Sequence, residues 1–318
     1  MKTPAYFPPA VSPELTGVNA TPYPIPESSR NLTLLAWTVT VLISALPNAF
    51  WVELFGMSPA WMGPTKMGLL LILALAAILW KTLRPLRNFF IVMLAFFSLA
   101  ELRLMIDFTL PGLQALFGSS VFDIRMQGEQ TGKLAVSLGM IMIMLVLGYK
   151  RRDFFLVRGN LWAPIQPVPL LGFPKPVPWP NFGLQWGFYI AVALAVVQYI
   201  GLRPGGDLVL KLMPILPSIL FYAALNAFNE EVTYRSPMLA TLERVGGSKQ
   251  ALWIAAYFFG IGHYFGVPGG IVGGVLSIFM GWILGKGMLE TRGFFWTWWI
   301  HFLSDVAIFS FLVLALLK

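Results

Sequence analysis

Long apolar runs, separated by short charged or polar stretches, make up the chain from residue 31 to its end. A helix that crosses the hydrocarbon core of a bilayer needs about 20 mostly apolar residues. The sixth apolar run is too long for one straight span, and Pro214 and Pro217 are expected to kink it or to end a short interfacial piece. The pattern predicts about nine candidate spans, at roughly 32–55, 66–82, 88–106, 134–149, 182–202, 207–242, 250–265, 269–288 and 294–316.

This pattern predicts an all-α polytopic membrane protein with about eight to nine transmembrane helices. Composition points the same way, because 57% of the 318 residues are hydrophobic and only 11% are charged, against about 25% charged residues in soluble domains. A soluble core cannot absorb that much apolar surface, whereas a bilayer can. We expect an integral protein of a bacterial inner (cell) membrane. The stretch 107–133 is semi-polar, and its part 110–117 is expected at the membrane interface.

The basic residues predict an orientation. With nine alternating spans and a cytoplasmic N-terminus, most loop Lys and Arg residues fall on the cytoplasmic side, as the positive-inside rule requires. In that arrangement Lys66 and Lys133 belong to the outer side. The net charge of +8 therefore indicates membrane lipids as partners and no nucleic acid. The chain has no cysteine, which excludes disulfides, thiolate metal sites and a cysteine nucleophile.

Proline-rich and basic stretches divide the chain into four regions. Residues 1–30 form a Pro-rich tail, expected to be flexible and without the apolar core of a signal peptide. Residues 31–150 hold N-terminal transmembrane helices. Residues 151–180 form a basic, Pro-rich connector, which is expected to be extended and semi-rigid. Residues 181–318 form the transmembrane domain that is expected to carry the chemistry.

Ionisable residues inside apolar segments are costly and usually functional. The sixth run contains Glu230, Glu231 and Arg235. Glu231 and Arg235 are four residues apart, so they can pair on one helical face. Glu230 is turned by about 100° from Glu231 and is free to point into a cavity as a general base. The alternative for Glu231 and Arg235 is a purely structural ion pair.

The chain's two histidines lie in later apolar runs. His263 follows Phe259 by four residues, and a neutral imidazole there can accept a proton, bind water or bind a metal; the alternative is a packed core histidine. His301 precedes Asp305 by four residues, so Asp305 can orient the imidazole. Alternatively, His301 donates a hydrogen bond to a developing oxyanion.

These three motifs, in this order on successive hydrophobic segments, resemble the CAAX prenyl protease type II and bacteriocin-processing (CPBP, Abi) family of intramembrane endopeptidases. The resemblance covers roughly residues 207–316. It implies a glutamate-type protease in which Glu230 and His263 activate a water. It further implies that His301 and residue 305 stabilise the oxyanion, and that Glu231 and Arg235 support Glu230.

One position departs from that family, which usually has asparagine where this chain has Asp305. An ionised aspartate cannot donate to an oxyanion, so Asp305 must be protonated, orient His301 or help to bind a metal. No cofactor is required by the resemblance, although two histidines and a carboxylate are also an accepted zinc set. The predicted catalytic residues are Glu230, Glu231, Arg235, His263, His301 and Asp305.

Two other classes of function stay open on the sequence. A noncatalytic membrane scaffold or immunity protein would use the fold to bind a partner. A proton-coupled transporter also uses buried Glu, Asp and His as relays, but paired repeat halves are not visible here. The expected substrate is a membrane-associated peptide or protein. Its identity, its prenylation and the oligomeric state of the chain are left open.

Overall fold

The computed structural model describes residues 30–110, 118, 120–267 and 269–318. Of the described residues, 78% are helical and none forms a β-strand. Eight helical runs in this part of the chain are long and apolar enough to cross a membrane. The prediction of an all-α polytopic membrane protein is thus confirmed. The predicted tail, up to residue 29, and the predicted interfacial residues 111–117 lie outside the described residues.

The helices are numbered in chain order. Before the connector they are α1 Arg30–Ile43, α2 Leu46–Phe55, α3 Met62–Leu79, α4 Arg87–Leu104 and α5 Val121–Val146. After it they are α6 Trp179–Leu202, α7 Gly206–Leu210, α8 Leu216–Glu230, α9 Ser236–Gly262, α10 Gly270–Thr291 and α11 Phe295–Leu317.

Helix α5 starts at Val121 rather than near residue 134. The side chain of Ser120 accepts a hydrogen bond from the Asp123 amide, and the Asp123 carboxylate accepts one from the Ser120 amide, so a capping box fixes the start. Lys133 therefore lies within a helix instead of an outer loop, and Lys66 lies in the second turn of α3. The apolar-run criterion omitted the start of α5, including Lys133, because that stretch is semi-polar. The ammonium group of Lys133 has hydrogen-bond partners inside the protein.

The sixth and seventh predicted spans form one helical run, Gly206–Phe265, of 60 residues. A straight helix of that length would extend about 90 Å, roughly three times the hydrocarbon thickness of a bilayer. The run is divided at Gly247, where φ is 75° and ψ is 169°. Glycine adopts this conformation without a Cβ clash. The sixth and seventh predicted spans lie on either side of this residue, and together they count as one of the eight runs.

The largest buried cluster joins the regions before and after the connector. Its members include Ala36 of α1, Phe89 of α4, Met140 of α5, Leu239 of α9 and Met288 of α10. The N-terminal helices therefore pack directly against the C-terminal ones. This shared core brings α5 beside the end of α8, where the polar residues lie.

Helices α9 and α10 approach each other closely at small residues. A Cβ on Gly260 would lie 2.3 Å from the backbone nitrogen of Ile278, and one on Gly281 would lie 3.2 Å from the Cα of Ala256. The sequence predicted packing roles for Gly270, Gly274, Gly281 and Gly285. The last three pack against α9, whereas a Cβ on Gly270 would meet no atom within 4 Å.

Candidate active site in the membrane helices

The double glutamate lies where helical geometry changes. Glu230 ends α8, and Glu231–Arg235 form a π-helical turn before α9. The Ser236 amide donates to the Glu231 carbonyl, five residues back, which is the π pattern. Pro237 follows, and its ring lacks an N–H and clashes with the carbonyl four residues earlier in a regular α-helix. The wider turn removes that conflict and sits at the polar cluster.

Glu231 is held on two sides and has no exposure to solvent. Its Oε1 atom pairs with the Arg235 guanidinium and lies 2.7 Å from Nδ1 of His301. The guanidinium also stacks over the Phe259 ring, 4.5 Å from the centroid. The predicted pair of Glu231 and Arg235 is therefore formed, and it extends to His301.

Glu230 faces a different set of neighbours. Its Oε1 atom lies 3.0 Å from Nζ of Lys133, and its Oε2 atom lies 3.6 Å from Nε2 of His301. The side chain retains 14% exposure. It also lines two cavities, of about 230 Å³ and 420 Å³. Glu230 is thus the carboxylate of this cluster that meets open space.

Asp305 is bound as a hydrogen-bond acceptor. Its Oδ2 atom accepts from Nδ2 of Asn226 at 2.9 Å and lies 3.7 Å from Nε2 of His301. The Oδ1 atom of Asn226 in turn accepts from Lys133 at 2.7 Å and from Gln130 at 2.9 Å. Asn226 therefore links the carboxylate of Asp305 to the cation of Lys133.

His263 approaches the cluster from the end of α9. Its Nδ1 atom lies 3.0 Å from the carbonyl oxygen of Phe259, and the two rings are 4.4 Å apart. His263 lines the larger cavity together with Glu230. The two rings are tilted by 48° to each other, and the imidazole reaches the same open space as Glu230.

The formal charges of this cluster nearly balance. Three carboxylates, of Glu230, Glu231 and Asp305, meet the permanent cations of Lys133 and Arg235. These five groups and the imidazole reach neutrality when His301 carries a proton on both ring nitrogens, and Glu129, a third exposed, adds a further carboxylate 3.4 Å from Lys133. In that form Nδ1–H donates to Glu231 and Nε2–H is directed at Glu230 and Asp305.

The structure brings all six predicted residues into one region and adds Lys133, which the sequence reasoning missed. Lys133 lies about a hundred positions before its partner, so helical spacing could not reveal the pair. A signal was present, because Gln130, Lys133 and Ser137 recur at helical spacing before an apolar run. Gln130 and Ser137 also hydrogen-bond Asn229 of α8.

No set of three or more His, Cys, Asp or Glu side chains within the described ranges is arranged to hold a metal ion. Both nitrogens of His301 already face carboxylates at the distances given above. The zinc option from the sequence stays a prediction, as does the prediction that no cofactor is required.

Comparison with known protein families adds an independent observation. Residues 212–307 match the Rce1-like type II CAAX prenyl endopeptidase family. The resemblance predicted from the sequence is thereby confirmed. The matched segment contains the six predicted site residues and excludes Lys133 and Lys66. This family suggests intramembrane protease activity and supports a hydrolase. Comparisons with curated proteins and with solved structures found no match.

Proposed function

We propose that this protein is an intramembrane endopeptidase that hydrolyses a peptide bond of a membrane-associated substrate with a water activated by Glu230 and His263. The observation that carries the proposal is the position of Glu230. One of its oxygens is held by Lys133, while the side chain lines the cavity that His263 also lines. A fixed carboxylate beside an imidazole in a partly enclosed space suits general-base catalysis.

In the proposed reaction, Glu230 accepts a proton from the water while the water oxygen forms a bond to the substrate carbonyl carbon. The carbonyl π electrons move to oxygen and form an oxyanion. The C–N bond then breaks, and the proton held by Glu230 passes to the leaving amine. His263 accepts a hydrogen bond from the water and orients it. Every proton and electron pair is accounted for within these groups.

We assign to His301 the stabilisation of the oxyanion by a hydrogen bond. Its Nδ1–H is engaged by Glu231, which leaves Nε2–H as the donor toward the region between Glu230 and Asp305. A donor held in place before the reaction stabilises charge that develops only in the transition state. Glu231 and Arg235 are positioning residues in this scheme, because both are buried, Glu231 contacts Nδ1 of His301, and Arg235 holds Glu231.

Asp305 is assigned a positioning role as well. It accepts from Asn226, so its carboxylate acts as an acceptor in the described network. Its place beside Nε2 of His301 favours the doubly protonated ring that the oxyanion role requires. In this role Asp305, which stands where the family usually has asparagine, does not have to donate a hydrogen bond while it is ionised.

The test is a cleavage assay in proteoliposomes with a farnesylated CAAX-type peptide and a nonprenylated membrane-anchored peptide. We expect wild-type protein to release a defined fragment and to incorporate one ¹⁸O from labelled water into the new carboxylate. Glu230→Gln and His263→Ala should each lower the rate of release by at least about 100-fold while the proteins stay folded in detergent. Full activity of either variant contradicts the assigned roles. A wild-type protein that cleaves neither peptide but conducts protons in a flux assay favours a transporter.

A further inference from the structure

The two ends of the helical bundle differ in exposed charge. One end, called the basic face, holds the connector and the starts of α1, α4, α6 and α11. Among the described residues it has no exposed carboxylate and ten exposed cations, which are Arg30, Lys81, Arg84, Arg87, Lys150, Arg151, Arg152, Arg158, Lys175 and Lys249. The opposite face holds the start of α5 and the ends of α2, α4, α6, α9 and α11. It has four exposed cations and four exposed carboxylates, which are Arg125, Arg203, Lys211 and Lys318 with Glu53, Glu101, Asp107 and Asp207. The positive-inside rule therefore favours the basic face as the cytoplasmic one.

Direct contacts show that the parts of the basic face lie together. The Arg244 guanidinium, near the turn within the long helical run, stacks over the ring of Tyr149, just before the connector, 4.3 Å from its centroid. The run reverses its direction at Gly247, because Arg235 and Phe259, twelve residues before and after it, are in contact. This run therefore starts and ends at the opposite face, and its turn lies at the basic face.

Both cavities beside Glu230 lie toward the opposite face. The smaller one is lined by Ala100 and Leu104, in the last two turns of α4. The larger one is lined by Lys66, in the second turn of α3, and by Gly266, which is exposed just beyond the end of α9. Since Glu230 lines both cavities, they extend from the proposed general base toward the less basic end of the bundle.

The connector closes the bundle at the basic face. Phe154 and Phe155, at its start, are 1% and 0% exposed and belong to the largest buried cluster. The Ser236 hydroxyl, directly after the π-helical turn, donates to the Phe154 carbonyl, and the Arg292 guanidinium lies 4.8 Å from the centroid of the Phe155 ring. No residue of the connector, which the structure describes in full, lines either cavity. Packed side chains thus separate Glu230 from the basic face.

We propose that the protein takes its substrate from the extracytoplasmic side of the membrane, as a peptide segment that is anchored at the outer leaflet and enters the cavities there. This inference rests on the proposed endopeptidase function and adds to it the side and the kind of substrate. The larger cavity suits such a segment, because Phe96 and Phe258 provide apolar wall beside the polar side chains of Asn48 and Lys66. A cytoplasmic peptide would have to displace the packed connector to reach Glu230.

The first test measures the sidedness of single cysteines, which the cysteine-free chain permits without removal of native thiols. Glu101→Cys and Gly266→Cys place a thiol at the smaller and the larger cavity, and the control Arg151→Cys places one on the basic face; all three positions are exposed. A charged, membrane-impermeant maleimide should modify the first two variants in spheroplasts and the third in inverted vesicles. Labelling in detergent calibrates each thiol, and Asp107→Cys, on the same face as the cavities, replaces a cavity position that does not react there.

The second test measures cleavage from each side. The nonprenylated membrane-anchored peptide is added to sealed right-side-out vesicles and to inverted vesicles that contain wild type, with Glu230→Gln vesicles as the background. We expect cleavage to be at least about 10-fold faster in right-side-out vesicles, because charged peptide residues cross hydrocarbon at a high cost. Detergent should make the two rates equal. Modification of Gly266→Cys from outside should slow cleavage, and modification of Arg151→Cys should not.

Three outcomes overturn the inference while the endopeptidase function survives. They are maleimide labelling with the reverse sidedness, faster cleavage in inverted vesicles, and equal cleavage in the two sealed preparations. The expected labelling together with no cleavage, either in sealed vesicles or in detergent, overturns the proposed function and the substrate assignment with it.

Discussion

Two of the clusters of buried charge among the described residues differ in what their polar atoms face. Around Lys286 and Glu290, the side chains close on one another and on the connector. Lys286 contacts Glu290 and donates to the Gln166 carbonyl at 3.0 Å. Glu290 accepts from the Gln166 amide at 3.1 Å and from the Trp179 indole at 3.0 Å. Neither charged residue lines the cavities around Glu230.

The cluster around Glu230 also contains a lysine–glutamate contact, but there the carboxylate borders open space. Glu230 lines both cavities and keeps a second oxygen toward His301. A buried ion pair alone is therefore a poor sign of catalysis, since one of these pairs fastens a loop to α10. The distinguishing observation is a charged group that is held on one side and left open on the other.

The largest difference between the two clusters is expected when Glu230 and Glu290 are neutralised in separate variants. Glu230→Gln should lower kcat/KM by about 10²–10⁴-fold, the usual contribution of a general base, and leave the unfolding temperature near that of wild type. Glu290→Gln should do the reverse, lowering stability with little change in kcat. The measurements are peptide cleavage in proteoliposomes and thermal unfolding in detergent. If the two variants showed similar changes in cleavage rate and in unfolding temperature, the distinction between a catalytic and a structural glutamate would be wrong.

The cluster around Lys286 and Glu290 is expected to lose more stability when one partner is replaced than when both are replaced. Glu290→Leu leaves the buried Lys286 ammonium unpaired and should cost about 3–5 kcal/mol of stability. The double variant Lys286→Met with Glu290→Leu should recover most of that loss, because apolar side chains of similar volume replace a buried ion pair at little cost. A double variant as unstable as the single one contradicts this account.

His301→Ala removes the proposed oxyanion donor. We expect kcat to fall by about 10²–10³-fold with a smaller change in KM, as for other donors that act mainly in the transition state. Single-turnover cleavage at saturating peptide separates the two effects. A rise in KM alone would assign His301 to substrate binding.

Lys133→Met tests the contact that the sequence did not reveal. Loss of its positive charge leaves Glu230 without its fixed partner and should lower kcat by about 10- to 100-fold, the usual cost of losing a group that orients a reacting residue. Lys133→Arg should retain part of the activity, because the charge is kept. Unchanged kcat in the Met variant would show that Glu230 does not need this partner.

The smallest effect is expected at Glu129, the second glutamate beside Lys133, at 3.4 Å. It is a third exposed and lines neither cavity. Glu129→Gln should change stability and activity by less than about 0.5 kcal/mol, as for most surface substitutions. A large loss here would mean that the whole charge network, rather than Glu230, controls catalysis.

The sequence predicted the membrane class and the six clustered residues because both leave local marks. Apolar length marks spans, and spacings of four residues mark the pairs of Glu231 with Arg235 and of His301 with Asp305. The roles of these residues stay predictions. Contacts between distant segments leave no local mark, so Lys133 beside Glu230 and Lys66 in the cavity required the packed structure. The nine predicted segments correspond to eight helical runs because the two segments that meet at Gly247 belong to one run.

The π-helical turn of residues Glu231–Arg235 makes the chain sensitive to length at this point. Each residue added to or removed from a helix rotates everything beyond it by about 100°. Deleting one residue here would restore ordinary α-helical winding. The side chains before and after the deletion would then be rotated relative to one another, so Glu230 and Arg235 could no longer keep their present directions together. We therefore expect related chains to exchange side chains within this stretch while gaps and insertions are confined to the loops on either side.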